Sequence, residues 1–142
     1  MKRVTPYLNF TGTAEEAFAF YGRVFGGAAP RILRYRDMGM DGADADLVAH
    51  VSLAIADGVM LFGSDVASAS RKDHRVGTNV EIHLAAADAD EAHRVFAALA
   101  EGGTVSMLLE RVAWSELFGA CVDRFGVRWM VDYEGTVQFG MP

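Results

Sequence analysis

The sequence has little cysteine and no excess of positive charge. A single cysteine, Cys121, excludes a disulfide within the chain and is typical of a protein from a reducing compartment. The 13 Lys and Arg side chains are outnumbered by 19 Asp and Glu, which gives a formal net charge of −6. Because binding to phosphate backbones depends on cationic side chains, this balance predicts no nucleic-acid partner.

Long hydrophobic runs are also missing. No stretch approaches the about 18 consecutive apolar residues that a transmembrane helix needs, and the start, Met1–Pro6, has no apolar core of a signal peptide. The sequence therefore predicts no membrane partner and a cytoplasmic location. Apolar residues still make up 51% of the chain, which excludes a disordered polymer and predicts a folded domain.

The chain contains an internal repeat of a capped, amphipathic helix. Thr13 and Glu16 have the spacing of a capping box, in which each side chain accepts a hydrogen bond from the other residue's backbone N–H. Gly26-Gly27 then ends the helix, since glycine readily adopts the left-handed conformation. Asp88 and Glu91 stand in the same relation 75 residues later, and a second glycine pair follows them. Two helices with matching starts and stops indicate a duplication.

Each helix is accompanied by strand-like runs, one before it and three after it. These runs concentrate Val, Ile, Leu and aromatic residues and are separated by turn residues. The runs lie at 4–10, 31–36, 48–56 and 58–64 in the first half, and at 80–86, 104–109, 118–123 and 126–133 in the second.

This order predicts an α+β fold of two tandem βαβββ modules. Module 1 is expected at 4–66 and module 2 at 79–134, with a polar linker at 67–78, all within a single domain, 1–142. A unit of about 60 residues buries little surface alone. We therefore expect the modules to form one curved mixed sheet with the helices on its outer face.

Short segments spread over most of the chain resemble the PhnB-like branch of the vicinal oxygen chelate superfamily, which includes glyoxalase I, extradiol dioxygenases, and bleomycin- and fosfomycin-resistance proteins. The segments are Pro6–Phe10, Ala14–Tyr21, His50–Leu53, Leu61–Asp65 and Asp123–Met130. The resemblance implies the glyoxalase/bleomycin resistance fold, a homodimer and a concave cavity for a small molecule. Some members carry a ubiquinone methyltransferase label, but the sequence lacks a glycine-rich strand-to-helix loop for S-adenosylmethionine.

Superfamily enzymes commonly hold a divalent metal ion with His, Gln or Glu. By the resemblance, and by the 75-residue shift between modules, these positions map to Pro6, Glu81 and Met130. Proline has no side-chain ligand atom, and a thioether is a poor ligand for a hard divalent ion. The sequence therefore predicts no catalytic metal and no cofactor, while His50 or His83 leaves a non-standard metal site open.

Ligand-binding candidates come from the alternation of side chains along strands. Glu81 and His83 are two residues apart and face the same side, where they are candidates for polar contacts or for proton transfer. The alternatives are a solvated strand face or a dimer contact, and for arginine an intersubunit salt bridge. Trp114, in a loop, either covers the cavity or packs across a dimer. The full set of candidates is His50, Glu81, His83, Trp114, Arg128 and Met130.

Two classes of function follow from these residues. The missing metal ligands favour a small-molecule binder similar to the bleomycin-resistance type, which needs only shape and a few polar contacts. The alternative is a metal-dependent lyase, isomerase or dioxygenase of the superfamily with a non-standard site. A dimeric scaffold whose cavity is filled by side chains is a third hypothesis.

Overall fold

Two four-stranded sheets, each with one α-helix, form the framework of the computed structural model, which describes residues 1–137 and 139. The chain divides into two compact units, Met1–Arg75 and the residues from Val76 onward. The first unit contains β1 (Tyr7–Phe10), α1 (Ala14–Phe25), β2 (Arg31–Arg34), β3 (Val48–Ala56) and β4 (Val59–Asp65). The second contains β5 (Ile82–Ala85), α2 (Ala89–Ala100), β6 (Thr104–Val112), β7 (Ser115–Val122) and β8 (Arg128–Tyr133).

Both sheets have the same mixed topology. The strand order is β1-β4-β3-β2 in the first unit and β5-β8-β7-β6 in the second. In each, the first strand runs parallel to the last, and the other neighbours are antiparallel. The predicted α+β fold of two tandem βαβββ modules is confirmed. The exact module bounds stay predictions, and the predicted linker contains a short 3₁₀ helix, Ser68–Asp73.

Helix α1 covers one face of the first sheet. Its apolar stripe buries Phe18 and Tyr21, and β3 contributes the buried Val51 and Leu53 on the facing side. Gly63 on β4 admits the Phe18 ring, because a Cβ there would lie 2.6 Å from Phe18 Cε2. Successive side chains of a strand point to opposite faces of the sheet. The side chains that alternate with these buried residues therefore point away from α1, and we call the face that they form the first helix-free face.

The predicted capping box of α1 is wrong. Thr13 precedes the helix, but no side-chain hydrogen bond caps it. The buried carboxylate of Asp65 at the end of β4 accepts instead from the N–H groups of Gly12 (2.9 Å), Ala14 (3.0 Å) and Val48 (3.0 Å). The N-terminus of α1 is thus capped by a carboxylate from β4 and not by a side chain of its own segment. A negative charge at this position also interacts favourably with the helix dipole.

Helix α2 begins with the Asp88 cap that the sequence predicts, but the reciprocal bond to Glu91 comes from Ala87 and not from Asp88. The Asp88 carboxylate accepts from the Glu91 N–H at 2.8 Å, and Glu91 accepts from the N–H of Ala87 at 2.7 Å. The helix packs its apolar stripe on a sheet face that includes the fully buried Trp129 and Val131 of β8. The opposite face of this sheet is the second helix-free face.

Seven of the eight strands differ in their bounds from the predicted runs, with β2 and β6 as examples. β2 ends at Arg34, because Tyr35–Met38 turns into a 3₁₀ helix whose first turn is fixed by Asp37, which accepts from the Arg34 N–H. β6 continues to Val112, three residues beyond the predicted 104–109 run. Among residues 1–137 and 139, no helix combines the length and apolar character needed to span a bilayer.

Candidate ligand-binding site

The second helix-free face collects most of the candidate residues. In the strand register, His83 lies beside Met130, whereas Ile82 lies beside Trp129 on the face that α2 covers. Arg128 and Asp132 alternate with the buried Trp129 and Val131 in the same way, so they share the face of Met130. Side chains from the first and the last strand of the second unit therefore meet on one surface.

Glu81 and Arg128 form an ion pair at one end of this face. An N–H of the Arg128 guanidinium donates to Glu81 Oε1 at 3.2 Å, and both side chains are about three-quarters buried. The Nε atom of Arg128 is buried and has no hydrogen-bond partner among the described residues. The pair thus fixes the guanidinium and leaves one of its donors unused.

His83 and Asp132 form a second polar pair on the same face. His83 Nε2 lies 3.0 Å from Asp132 Oδ2, with the imidazole half exposed and the carboxylate 17% exposed. The other oxygen, Oδ1, is buried and lacks a hydrogen-bond partner in the described part of the chain. Asp132 is not among the sequence candidates, although its position two residues after Met130 is a signal for this face.

Aromatic rings border the His83 side of the face. Phe118, which lies opposite Asp132 in the β7–β8 pairing, is 6.5 Å from the His83 ring between centroids. Trp114, in the turn between β6 and β7, packs edge-on against Phe118 at 5.3 Å and is 41% exposed. The candidate Trp114 therefore lies beside the site, and Phe118 is a lining residue that the sequence pattern assigned only to a strand.

His50 lies in the first unit. Its Nδ1 is 3.2 Å from the Tyr7 hydroxyl, and its ring packs edge-on against Phe62 at 5.2 Å. Phe10 packs against Phe18 and so faces α1. Tyr7 lies three residues before Phe10 on the same strand and therefore points to the opposite side, so these contacts lie on the first helix-free face. His50 thus has neutral aromatic neighbours, whereas His83 has a carboxylate.

The residues at the superfamily's metal positions do not fit a hard divalent ion. Within residues 1–137 and 139, no three His, Cys, Asp or Glu side chains come together as a metal-binding group. Glu81 is paired with Arg128, and Met130 offers only a thioether. The predicted equivalence of Pro6 and Glu81 is wrong by one residue. Glu81 lies on a helix-free face, whereas the alternation of side chains along β1 places Tyr7, and not Pro6, on the corresponding face of the first sheet.

Comparison with known proteins then identifies the family. Residues 2–132 match the model of the family described as 3-demethylubiquinone-9 3-methyltransferase. The chain belongs to this PhnB-like family. Protein PA1353 from Pseudomonas aeruginosa is 34% identical, with 94% of this chain and 98% of that one covered and a TM-score of 0.82.

Two further solved structures share the fold of this chain. The PhnB protein from Bacillus cereus, described as a putative 3-demethylubiquinone-9 3-methyltransferase, is 26% identical, covers 93% of this chain and 99% of its own, and has a TM-score of 0.73. The fosfomycin resistance protein FosX from Listeria monocytogenes is 12% identical over 96% and 95%, with a TM-score of 0.64, and shares the fold. The predicted PhnB-like family and the predicted glyoxalase/bleomycin resistance fold are confirmed.

S-adenosylmethionine, the methyl donor that a methyltransferase activity would imply, does not fit the helix N-termini of this chain. The N–H groups before α1 donate to Asp65, and those before and within the first turn of α2 donate to Glu91 and Asp88. These carboxylates occupy the donors and repel the carboxylate of S-adenosylmethionine. We derive no methyl transfer through these residues.

Proposed function

We propose that this PhnB-like protein binds a small organic molecule noncovalently on its second helix-free face, without a catalytic metal. One observation carries the proposal: Arg128 Nε and Asp132 Oδ1 are both buried on this face without a hydrogen-bond partner among the described residues. A buried polar atom left unpaired costs about 1–3 kcal/mol, and a ligand that supplies an acceptor and a donor offsets that cost. The remaining candidate, His50, lies in the first unit and stays a ligand-binding prediction from the sequence.

The lining of the face supports a ligand of mixed character. Phe118 and Trp114 supply aromatic surface at one side, and the Glu81–Arg128 pair supplies charge at the other. Met130 lies between the two polar pairs and offers an adaptable apolar contact. Small-molecule sites commonly combine apolar walls with a few fixed polar groups in this way.

Ligand binding is tested by intrinsic fluorescence and thermal unfolding against a panel of small aromatic acids, amines and amides. Trp114 is exposed beside the site, so its emission is expected to change on binding, while the buried Trp129 serves as an internal constant. A ligand that binds only the folded state raises the unfolding midpoint. Trp114→Phe should remove the fluorescence change and keep the thermal shift. A panel without any effect on either signal contradicts the proposal.

The alternative function, a metal-dependent lyase, isomerase or dioxygenase, is favoured only by the presence of Glu81, His83 and Asp132 on one face. Metal analysis of protein purified without chelator separates the two functions. We expect no stoichiometric divalent ion. An ion that is lost in Glu81→Ala, but kept in the control Glu16→Ala on the exposed side of α1 in the first unit, would establish the alternative.

The homodimer is proposed from the family resemblance. One feature of the second unit suits it: β6 is an edge strand, paired only with β7 among the described strands, and exposes Val105, Met107 and Leu108. Unpaired apolar edges are rarely left in solvent. The cytoplasmic location and the absence of a nucleic-acid partner stay predictions from Cys121 and the net charge.

A further inference from the structure

We infer that the His83–Asp132 pair transfers protons, and that this face interconverts the keto and enol forms of a small aryl-substituted 2-oxo acid. This inference rests on the proposed function, because it assigns a ligand class and a reaction to the same face. It uses only residues of the second unit.

The hydrogen bond to Asp132 determines which nitrogen of His83 can act as a base. A carboxylate can only accept, so the Nε2 atom 3.0 Å from Asp132 Oδ2 carries the hydrogen. In the neutral imidazole the other nitrogen, Nδ1, then has the free lone pair. The His83 side chain is half exposed, which leaves room for a ligand beside the imidazole. Asp132 is a positioning residue, and His83 is the proton acceptor.

The order of groups across the face suggests the shape of the substrate. Trp114 packs against Phe118, and Phe118 lies next to His83. His83 lies beside Met130, and Arg128 stands two residues before Met130 on β8. A molecule with an aromatic ring, an acidic C–H and an anionic end has its groups in the same order. The ring would contact the aromatic side chains, the C–H would face His83, and the oxygens would accept from Arg128.

The proposed step needs no co-reactant. His83 Nδ1 takes a proton from the carbon next to the carbonyl, so the C–H bond breaks and an N–H bond forms. The electron pair forms a carbon–carbon double bond, and the carbonyl oxygen becomes an enolate oxygen that accepts from Arg128. The imidazolium then returns its proton to that oxygen, which gives the enol, or to the carbon, which restores the ketone.

Phenylpyruvate is the probe for this activity. Proton NMR in D₂O measures the loss of its benzylic protons with the full-length protein, and fluorescence of Trp114 measures its binding in parallel. We expect the protein to accelerate exchange and His83→Gln to reduce the rate by about 100-fold or more, the usual range for a general base. The matched control is His93→Gln on the exposed side of α2, which should leave the rate unchanged.

Asp132→Asn tests the positioning role. An amide can donate as well as accept, so the preference for the hydrogen on Nε2 should be lost. Nitrogen-15 NMR of the imidazole is expected to show this change of tautomer together with a reduced exchange rate. A merely structural role would reduce the rate through unfolding and leave the tautomer of the folded protein unchanged, which would overturn the assignment.

The remaining outcomes separate this inference from the proposed function. If phenylpyruvate or another panel compound binds but wild-type protein does not accelerate exchange, the proton-transfer inference is overturned and the binding function stands. Exchange that survives His83→Gln also overturns the inference. If no compound binds and no exchange occurs, both are overturned.

Discussion

Buried carboxylates in this protein differ in how fully their oxygens are paired. Asp123 accepts from the N–H groups of Phe125 (2.8 Å) and Val127 (3.1 Å), and its Oδ2 accepts from the Trp129 indole at 2.8 Å. Among the described residues, the Asp132 carboxylate has one hydrogen-bond partner, His83, and its Oδ1 has none. Full pairing indicates a structural role for Asp123, whereas the incomplete pairing of Asp132 supports a ligand contact.

Trp129→Phe should lower the free energy of unfolding by about 2–4 kcal/mol, since it leaves a cavity in the core and an unpaired Asp123 oxygen. Urea unfolding followed by circular dichroism measures the change. Trp114→Phe makes the same substitution at a 41% exposed position and should cost under about 1 kcal/mol. Equal losses in the two variants would contradict the structural role of Trp129.

The buried thiol of Cys121 gives a prediction in pH. Burial, together with the nearby Asp123 charge, raises the pKa of Cys121 from 9.0 to about 11. Because the folded-state pKa lies above the unfolded value, this contribution to stability is complete below pH 9 and is lost as the pH rises through 11. Urea unfolding at about pH 8 and about pH 10.5 should show a larger loss in wild type than in Cys121→Ala. An equal loss in both proteins would show that the thiol is not shielded.

At the scale of elements, the two helices begin by different means although their sequences look alike. Asp88 caps α2 from within its own segment, whereas α1 depends on Asp65 at the end of β4. The start of α1 is therefore coupled to the formation of the first sheet, and Asp65 also fixes the start of β3 through the Val48 N–H.

Asp65→Asn should lower the free energy of unfolding by about 2–3 kcal/mol. Both carboxylate oxygens of Asp65 accept from backbone N–H groups, and in the variant one of these oxygens is replaced by an amide NH₂ group, which cannot accept. Asp88→Ala should cost about 1 kcal/mol, the usual effect of losing a helix cap. Thr13→Ala is the control, expected to change the free energy of unfolding by under about 0.5 kcal/mol since its side chain caps nothing. Urea unfolding measures all three variants. A loss of stability for Thr13→Ala as large as that for Asp65→Asn would show that Thr13 caps α1 and would contradict the capping role of Asp65.

At the scale of the whole molecule, the proposed homodimer can be measured directly. Sedimentation should give twice the chain mass of 15.4 kDa. Leu108→Lys places a charge on the exposed apolar edge of β6 and should shift the protein toward monomer. Val59→Lys, at an exposed position on β4, is the matched control and should remain dimeric. A wild-type monomer would overturn the dimer, and a dimeric Leu108→Lys would exclude β6 from its interface.

The sequence by itself determined the order of helices and strands, the repeat, and which residues of a strand share a face. Glycine stops and strand alternation are properties of neighbouring residues, so local spacing alone assigns Glu81 and His83 to one face. Only the tertiary structure decided that His83 meets Asp132 and that Glu81 meets Arg128. Those partners lie 49 and 47 residues away, and their contact depends on the register in which β5 pairs with β8, which no local pattern encodes.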